Sequence, residues 1–305
     1  MTKLMNVHEV AAYLNIKERK VYDLVKQRLI PCSRVTGKWL FPQDRIDRWV
    51  AEGMTGTGSN PTPARDSTRT HSPPVVAGSH DPLLEWALRE SECGLALMAG
   101  GSLDGLRRLA AGEAMVCGLH VLDSATGVYN VTALEAALAS SGEGKDVILI
   151  EWAWRIQGLI VAPGNPLGIG TLTDLADKRP RMIQREAQAG TRLLLTHLLE
   201  QAGLPADALP QAERVAHTHT EVGLAILDGQ ADAGLGVEAV ARQLRLDFIP
   251  LHRERYDLAL GRGDYFEPPF QALLGFARGK ALHQRAEELG GYDLSGLGQV
   301  HYNSP

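Results

Sequence analysis

Apolar and polar positions fall into two regimes along the chain, with a polar gap between them. Before the gap the apolar residues recur at helical spacing. Val7, Val10, Ala11, Leu14 and Ile16 predict a short amphipathic helix and a turn; Val21, Leu24 and Val25 line one face of a second helix whose other face offers Lys17, Arg19, Lys20 and Lys26. Asn6 is placed to cap the first helix, with Glu9 three residues later completing a capping pattern. After Pro31, "SRVTGKWLF" alternates around Gly37-Lys38 like a β-hairpin, and "PQDRIDRWVAEG" restarts a helix with Pro42 near its beginning.

From Gly53 to Pro74 the sequence "GMTGTGSNPTPARDSTRTHSPP" has almost no apolar residues and reads as a linker. Beyond it the pattern changes to short apolar runs alternating with helices. "PPVVAGSHDPLLEWALRE" predicts strand, turn and helix, and "GLALMAGGSLDGLRRLAAG" repeats it. "AMVCGLHVLD", "DVILIEWAW", "GLIVAPG", "PRMIQRE" and "LDFIPL" predict further strands, with helices in "REAQAGTRLLLTHLL" and "AGLGVEAVARQL". Such alternation predicts a mostly parallel sheet covered on both faces. The expected organisation is a small domain over 1–53, a linker over 54–74 and a larger α/β domain over 75–305. No repeat of solenoid length is visible.

Composition narrows the classes. With 305 residues and 44% hydrophobic residues the chain can bury two ordinary cores. No run reaches the roughly 18 apolar residues of a membrane span, and the start is too polar for a signal peptide, so the expectation is a cytoplasmic protein with no membrane partner. Cys32, Cys93 and Cys117 lack CxxC spacing and suggest neither disulfides nor zinc. Charge divides unevenly: residues 1 to 53 hold ten Lys/Arg against six acids, a net +4, which leaves 21 against 30, or −9, for the remainder. A basic head on an acidic body points to a polyanion met by the head alone.

The run "LMNVHEVAAYLNIKERKVYDLVKQRLIPCSRVTGKWLFPQDRIDRWV" resembles the excisionase-like, MerR-related winged helix-turn-helix family, element by element. The resemblance implies sequence-specific binding of double-stranded DNA, with the second helix in the major groove. Lys17, Arg19, Lys20 and Lys26, with Arg34 and Lys38 on the hairpin, are the residues expected to meet it. A single head makes few contacts, so a homodimer or higher homo-oligomer on paired half-sites is expected.

In the body, three turns share a chemistry. "AGSHDP" offers Ser79, His80 and Asp81, "AGGSLDG" offers Gly101 and Ser102, and "QAGTR" offers Gly190, Thr191 and Arg192. Each sets a small residue or hydroxyl where helix N–H groups point outward, as oxyanion sites do. Taken singly, Ser and Thr at helix starts are good N-caps; three converging turns predict a pocket. His120, Glu238 and Tyr256 follow strands and could line it. His217 and His219 form a conceivable metal pair, although flanking a helix capped by Thr220 is the plainer reading. Trp152 and Trp154 read as core.

The blocks "GGSLDGLRRLAAGEAMVCGLHVLDSATGVYN", "IEWAWRIQGLIVAPGNP", "IQREAQAGTR", "HTHTEVGLAILDGQADAGLG" and "FIPLHRERYDLAL" resemble the substrate-binding-protein-like domain related to type II periplasmic binding proteins. That domain occurs attached to molybdopterin-biosynthesis proteins and to helix-turn-helix regulators. It implies two lobes, about 75–155 with 250–305 and about 156–249, around a ligand cleft, with hinge strands near Trp154–Ile160 and Phe248–Leu251. Related binders hold molybdate or tungstate with serine hydroxyls and helix N-termini, which Ser79 and Ser102 fit. Gln188 and Ala189 stand where that family usually has Gly and Ser, leaving Arg192 as the charge expected on the anion. The expected function is a one-component transcriptional regulator that senses a small oxyanion or organic acid and needs no other cofactor. An enzyme of molybdenum-cofactor metabolism is the alternative, and the sequence offers it no evident nucleophile–base pair, metal cluster or glycine fingerprint. Ligand identity, operator and the choice between activation and repression stay open.

Overall fold

The computed structural model describes residues 4–14, 16–27, 30–35, 38–52, 72–141, 146–205 and 209–304. The chain divides into two compact units, Met1–Thr68 and Arg69–Pro305. Gly37 of the expected hairpin turn and residues 53–71 of the expected linker lie outside the described residues.

In the head, β1 (Leu4–Met5) leads into α1 (Val7–Tyr13) and α2 (Glu18–Lys26); β2 (Ser33–Val35), β3 (Lys38–Pro42) and α3 (Gln43–Glu52) follow. The strands form a small antiparallel sheet in the order β1-β3-β2. The capping box at the start of α1 is complete: the Glu9 amide donates to Asn6 Oδ1 at 3.0 Å and the Asn6 amide donates to Glu9 Oε2 at 2.8 Å. One core holds the head together, built from Met5, Val10, Ala11, Val21, Ile30, Phe41 and Ile46.

The body opens with β4 (Val75–Ser79), α4 (Pro82–Glu90), β5 (Ala96–Gly100), α5 (Ser102–Ala111), β6 (Val116–Leu119) and α6 (Val131–Ser141). Next come β7 (Val147–Val161), α7 (Thr173–Lys178), β8 (Met182–Arg185), α8 (Gly190–Gln201), β9 (Gln211–Ala216), α9 (His219–Leu227), β10 (Ala233–Val237), α10 (Glu238–Leu244) and β11 (Asp247–Gly261). The chain finishes with α11 (Pro268–Ala277), α12 (Lys280–Leu289), β12 (Tyr292–Asp293) and β13 (Val300–Asn303). The sheet runs β5-β4-β6-β11-β7-β10-β8-β9, with β12 and β13 added to β7. Its flanks are parallel, as the alternation predicts, but its middle is antiparallel, because β11 pairs antiparallel with both β6 and β7, and β10 with β7.

The cause is the length of two strands. "DVILIEWAW" and "GLIVAPG" are one strand of 15 residues, and "LDFIPL" is the start of another 15-residue strand. Polar Arg155 and Gln157 interrupt the apolar pattern of the first, and His252, Arg253 and Glu254 that of the second. The backbone nevertheless continues, since several of these groups satisfy one another across the ladder. The pairing is irregular between Pro250 and His252 and again between Tyr256 and Asp257. Edge strand β9 has one buried residue, so no apolar run announces it.

Around this ribbon sit two lobes. Leu106, Cys117, Leu119 and Leu134 pack with Val147, Leu149 and Ala259 at one end of the ribbon, and Met182, Leu194, Leu195, Leu199 and Leu235 pack with Leu159 and Val161 at the other; a third, larger core that includes Val76, Leu83, Ile183, Val222 and Val240 runs through both lobes. The lobes also touch through glycines. The Leu103 amide donates to the Gln188 carbonyl at 3.3 Å. A Cβ on Gly101 would lie 2.5 Å from that same oxygen, and one on Gly190 would lie 2.6 Å from the His120 carbonyl.

Candidate functional site

Strand ends and helix starts of both lobes converge on the ribbon, where open α/β sheets carry their ligands. From β4 come Ser79 and then His80 and Asp81, whose carboxylate caps α4 by accepting from the Leu84 amide at 2.7 Å. His120 follows β6, Ser102 opens α5, Arg185 ends β8, Thr191 lies in the first turn of α8 and His219 opens α9. The ribbon supplies Arg155 and Gln157 from β7 and Glu254 and Tyr256 from β11. All these side chains are buried.

Glu254 is the hub. Its carboxylate accepts from Arg155 Nε at 2.5 Å, from His120 Nδ1 at 2.7 Å and from Gln157 Nε2 at 2.7 Å. Burial opposes its ionisation, but Arg155 and His120 outweigh burial and hold its carboxyl down at about 2. Arg155 also donates from Nη1 to Asp81 Oδ2 at 2.9 Å and lies over the Tyr256 ring at 4.4 Å. Tyr292 donates to the same Asp81 oxygen at 2.7 Å, and Tyr256 donates to the Ser79 carbonyl at 2.5 Å. On the far side of His120, Nε2 is 2.8 Å from Ser79 Oγ. Ser102 Oγ accepts from the His120 amide at 3.3 Å, and Thr191 Oγ1 accepts from Gln157 at 3.3 Å.

A second group of atoms in this buried set has no protein partner. His219 is fully buried with both ring nitrogens unpartnered; Arg155 Nη2, Arg185 Nη1, His80 Nδ1 and Gln157 Oε1 are also unpartnered. The His219 ring lies 6.3 Å from that of His80 and 6.1 Å from that of His120. Burial, then the nearby Arg185 and Arg155 guanidiniums, push His219 well below the ordinary imidazole range. Burial likewise pushes His120 down, against the pull of Glu254, and brings Arg185 down to about 10.

Of the residues expected to line the cleft, Ser79, His80, Ser102, His120, Thr191 and Tyr256 are brought together, whereas Arg192 and Glu238 are not. Arg192 donates to Gln184 Oε1 instead. Successive side chains turn about 100° around a helix, so with Thr191 directed inward Arg192 is carried off that face. Glu238 pairs with Arg242 at 2.9 Å on its own helix. The fixed cations are Arg155 and Arg185, both missed from sequence; a charged residue inside or closing an apolar strand was the available signal. His217 is exposed and pairs with Glu186 at 3.4 Å while His219 is buried, and Thr218, not Thr220, caps α9. Among the described residues no three His, Cys, Asp or Glu side chains form a metal-binding group. The sequence did not reveal that Ser79, His120 and Glu254 form one hydrogen-bonded line.

On the head, Lys17, Arg19, Lys20 and Lys26 are exposed along α2, with Tyr22 exposed among them. Arg34 and Lys38 are exposed on the hairpin, and Arg34 lies over the Trp39 ring at 5.2 Å. No described helix is long and apolar enough to cross a membrane.

Two lobes sharing a through-running ribbon, with buried donors where their strands end, define a small-ligand-binding body, preceded here by a helix-turn-helix head. The family model of the PBP superfamily domain matches residues 85–278 and that of a helix-turn-helix domain matches residues 4–54; the chain belongs to the PBP superfamily. The uncharacterized Bacillus subtilis protein YvgK is 28% identical to it over 314 residues, spanning 98% of each chain. The sulfate-binding protein SubI from Mycobacterium tuberculosis superposes with a TM-score of 0.51 at 15% identity, over 72% of this chain and 85% of its own. An H2O2-bound cysteine-to-serine mutant of Corynebacterium glutamicum OxyR superposes with a TM-score of 0.50 at 12% identity, over 93% of this chain and 89% of its own. These two structures share the fold. A helix-turn-helix joined to a PBP-like domain fits a ligand-sensing, DNA-binding regulator.

Proposed function

We propose that the protein is a cytoplasmic transcriptional regulator whose body closes on a small tetrahedral oxyanion of the sulfate, molybdate or tungstate kind. The observation that carries this reading is the buried His219 with both nitrogens unpartnered, beside unpartnered nitrogens of Arg155 and Arg185. The unpaired donors here are Arg155 Nη2, Arg185 Nη1 and the protonated nitrogen of His219; each costs about 1–3 kcal/mol left unpaired, and an acceptor-only ligand removes that cost. The Ser102 and Thr191 hydroxyls and the starts of α5 and α8, which no side chain caps although the Leu103 amide is already given to Gln188, supply the remaining donors without adding charge. That SubI binds sulfate on this fold is consistent with the choice. Binding would stabilise the closed lobes, and in a homodimer closure would alter the spacing of two heads on paired DNA half-sites, with α2 in the major groove.

Thermal unfolding of the full chain tests this. An anion at about 100 times its Kd is expected to stabilise the body by about 2.7 kcal/mol, and Arg185→Gln to abolish the shift while the head still binds DNA. Absence of stabilisation by sulfate, molybdate, tungstate, phosphate and small carboxylates sinks the proposal.

One observation favours a second reading. Ser79, His120 and Glu254 stand at the distances of hydroxyl activation. An esterase of this kind would hydrolyse p-nitrophenyl acetate and lose that activity on Ser79→Ala. Equal background rates for both proteins would dismiss it.

A further inference from the structure

The buried set is already electrically balanced. Arg155 and Arg185 are its fixed cations, Glu254 and Asp81 its carboxylates, and Asp81 accepts from three donors, Arg155, Tyr292 and the Leu84 amide. A dianion entering this space brings charge that no further fixed cation among the described residues of the set offsets, at a high desolvation cost. The groups able to compensate are the imidazoles gathered there. His80 is bound at Nε2 by Glu85, at 3.0 Å, on the outer side. His120 is held between Glu254 and Ser79, and His219 is bonded at neither nitrogen.

We infer that the cleft takes its anion together with a proton, received by the His120–His219 pair, so that binding tightens as pH falls. The inference rests on the oxyanion reading above and adds what selects and regulates the ligand. Neutral His219 presents one donor and one lone pair, and a lone pair repels an anion; protonated, the ring presents two donors. In His120, Nδ1 must carry a proton because the Glu254 carboxylate only accepts. The neutral ring therefore accepts from the Ser79 hydroxyl at Nε2, which directs the serine proton away from the cleft. A proton on Nε2 reverses that bond and frees the serine hydrogen for the ligand. One proton from solvent thus adds charge and a further donor: an N–H bond forms on the imidazole, and no bond between heavy atoms is made or broken.

His80 is a third imidazole beside the pair, its ring 6.3 Å from that of His219 and its Nε2 held by Glu85; the remaining neighbours are fixed in charge. Arg155 and Gln157 on β7, Arg185 on β8, Glu254 and Tyr256 on β11, Ser102 on α5 and Thr191 on α8 do not change charge near neutrality. Glu186 and Glu221 are engaged further out, with the His217 ring and the His217 amide respectively. Burial and the two guanidiniums push His219 well below the ordinary imidazole range, and push His120 down against the pull of Glu254. An anion raises both, so protons are taken up at pH values between the free and bound pKa values.

Calorimetric titration of the full chain with sulfate and with tungstate, each in two buffers of different ionisation enthalpy from pH 6 to 8.5, reads this directly. Both anions stay ionised over that range, so any proton goes to the protein. The expected result is net uptake approaching one proton per anion, with affinity falling about tenfold per pH unit on the alkaline limb. His219→Gln and His120→Asn should each reduce the uptake; if either fails to fold, the wild-type buffer dependence decides alone. Binding with equal heats in both buffers and a pH-independent Kd overturns the coupling and leaves the oxyanion reading standing. No binding of any anion overturns both.

Discussion

Arg155→Met is expected to lower the stability of the body by about 3–5 kcal/mol, measured by urea unfolding. The guanidinium is fully buried between Glu254 and Asp81, and methionine fills its volume without its charge. What destabilises is the pair of carboxylates left behind, each out of water with its main cation gone. Adding Glu254→Gln to the variant should recover part of the loss, because it removes one of those charges. A change under about 1 kcal/mol would mean that the carboxylates find water or protons easily, and that the cluster is far less dry than its burial implies.

Gly190→Ala and Gly101→Ala are expected to weaken anion binding by about 10- to 100-fold with little loss of stability. The local backbone tolerates either change: Gly101 sits at φ −83°, open to any residue, and alanine at Gly190 improves the propensity of α8. Only the opposite lobe objects, since the new methyl meets the Gln188 carbonyl in one case and the His120 carbonyl in the other. Overpacking of this kind costs about 1–3 kcal/mol, and here that cost falls on the closed arrangement alone. Anion titration, with small-angle scattering to follow the separation of the lobes, measures it. Unchanged affinity in both variants would show that closure does not require this contact.

Much of the site can be read from the chain because three of its walls are helix starts. Ser79, Ser102 and Thr191 announce themselves by small or hydroxyl residues between an apolar run and a helix, and His120 by following a strand directly. Arg155, Glu254 and Arg185 are hidden because their roles depend on partners far away in sequence: His120 and Glu254 meet across 134 positions. Seen locally, Arg155 is an interruption in "WAWRIQGLIV", and it divides one long strand into two expected ones. The error of strand length and the missed cation share one cause. A charge inside an apolar strand reads as a boundary, when its partners lie across the ladder. Arg192 attracts notice by its place in a helix start, where one residue's rotation separates a ligand-facing side chain from one bound to Gln184.

The through-running ribbon also sets when the body can fold. Strand β6 is bordered by β4 on one side and by β11 on the other, and β11 emerges from the ribosome more than a hundred residues after β6. Until then the first lobe has an unpaired apolar edge, while the intervening segment can assemble its own core around Leu194, Leu195 and Leu235. Pairing at such sequence separation is slow to form, which makes the emergence of Asp247–Gly261 the committing event. Chains truncated before Gly261 are therefore expected to aggregate rather than to form a working first lobe.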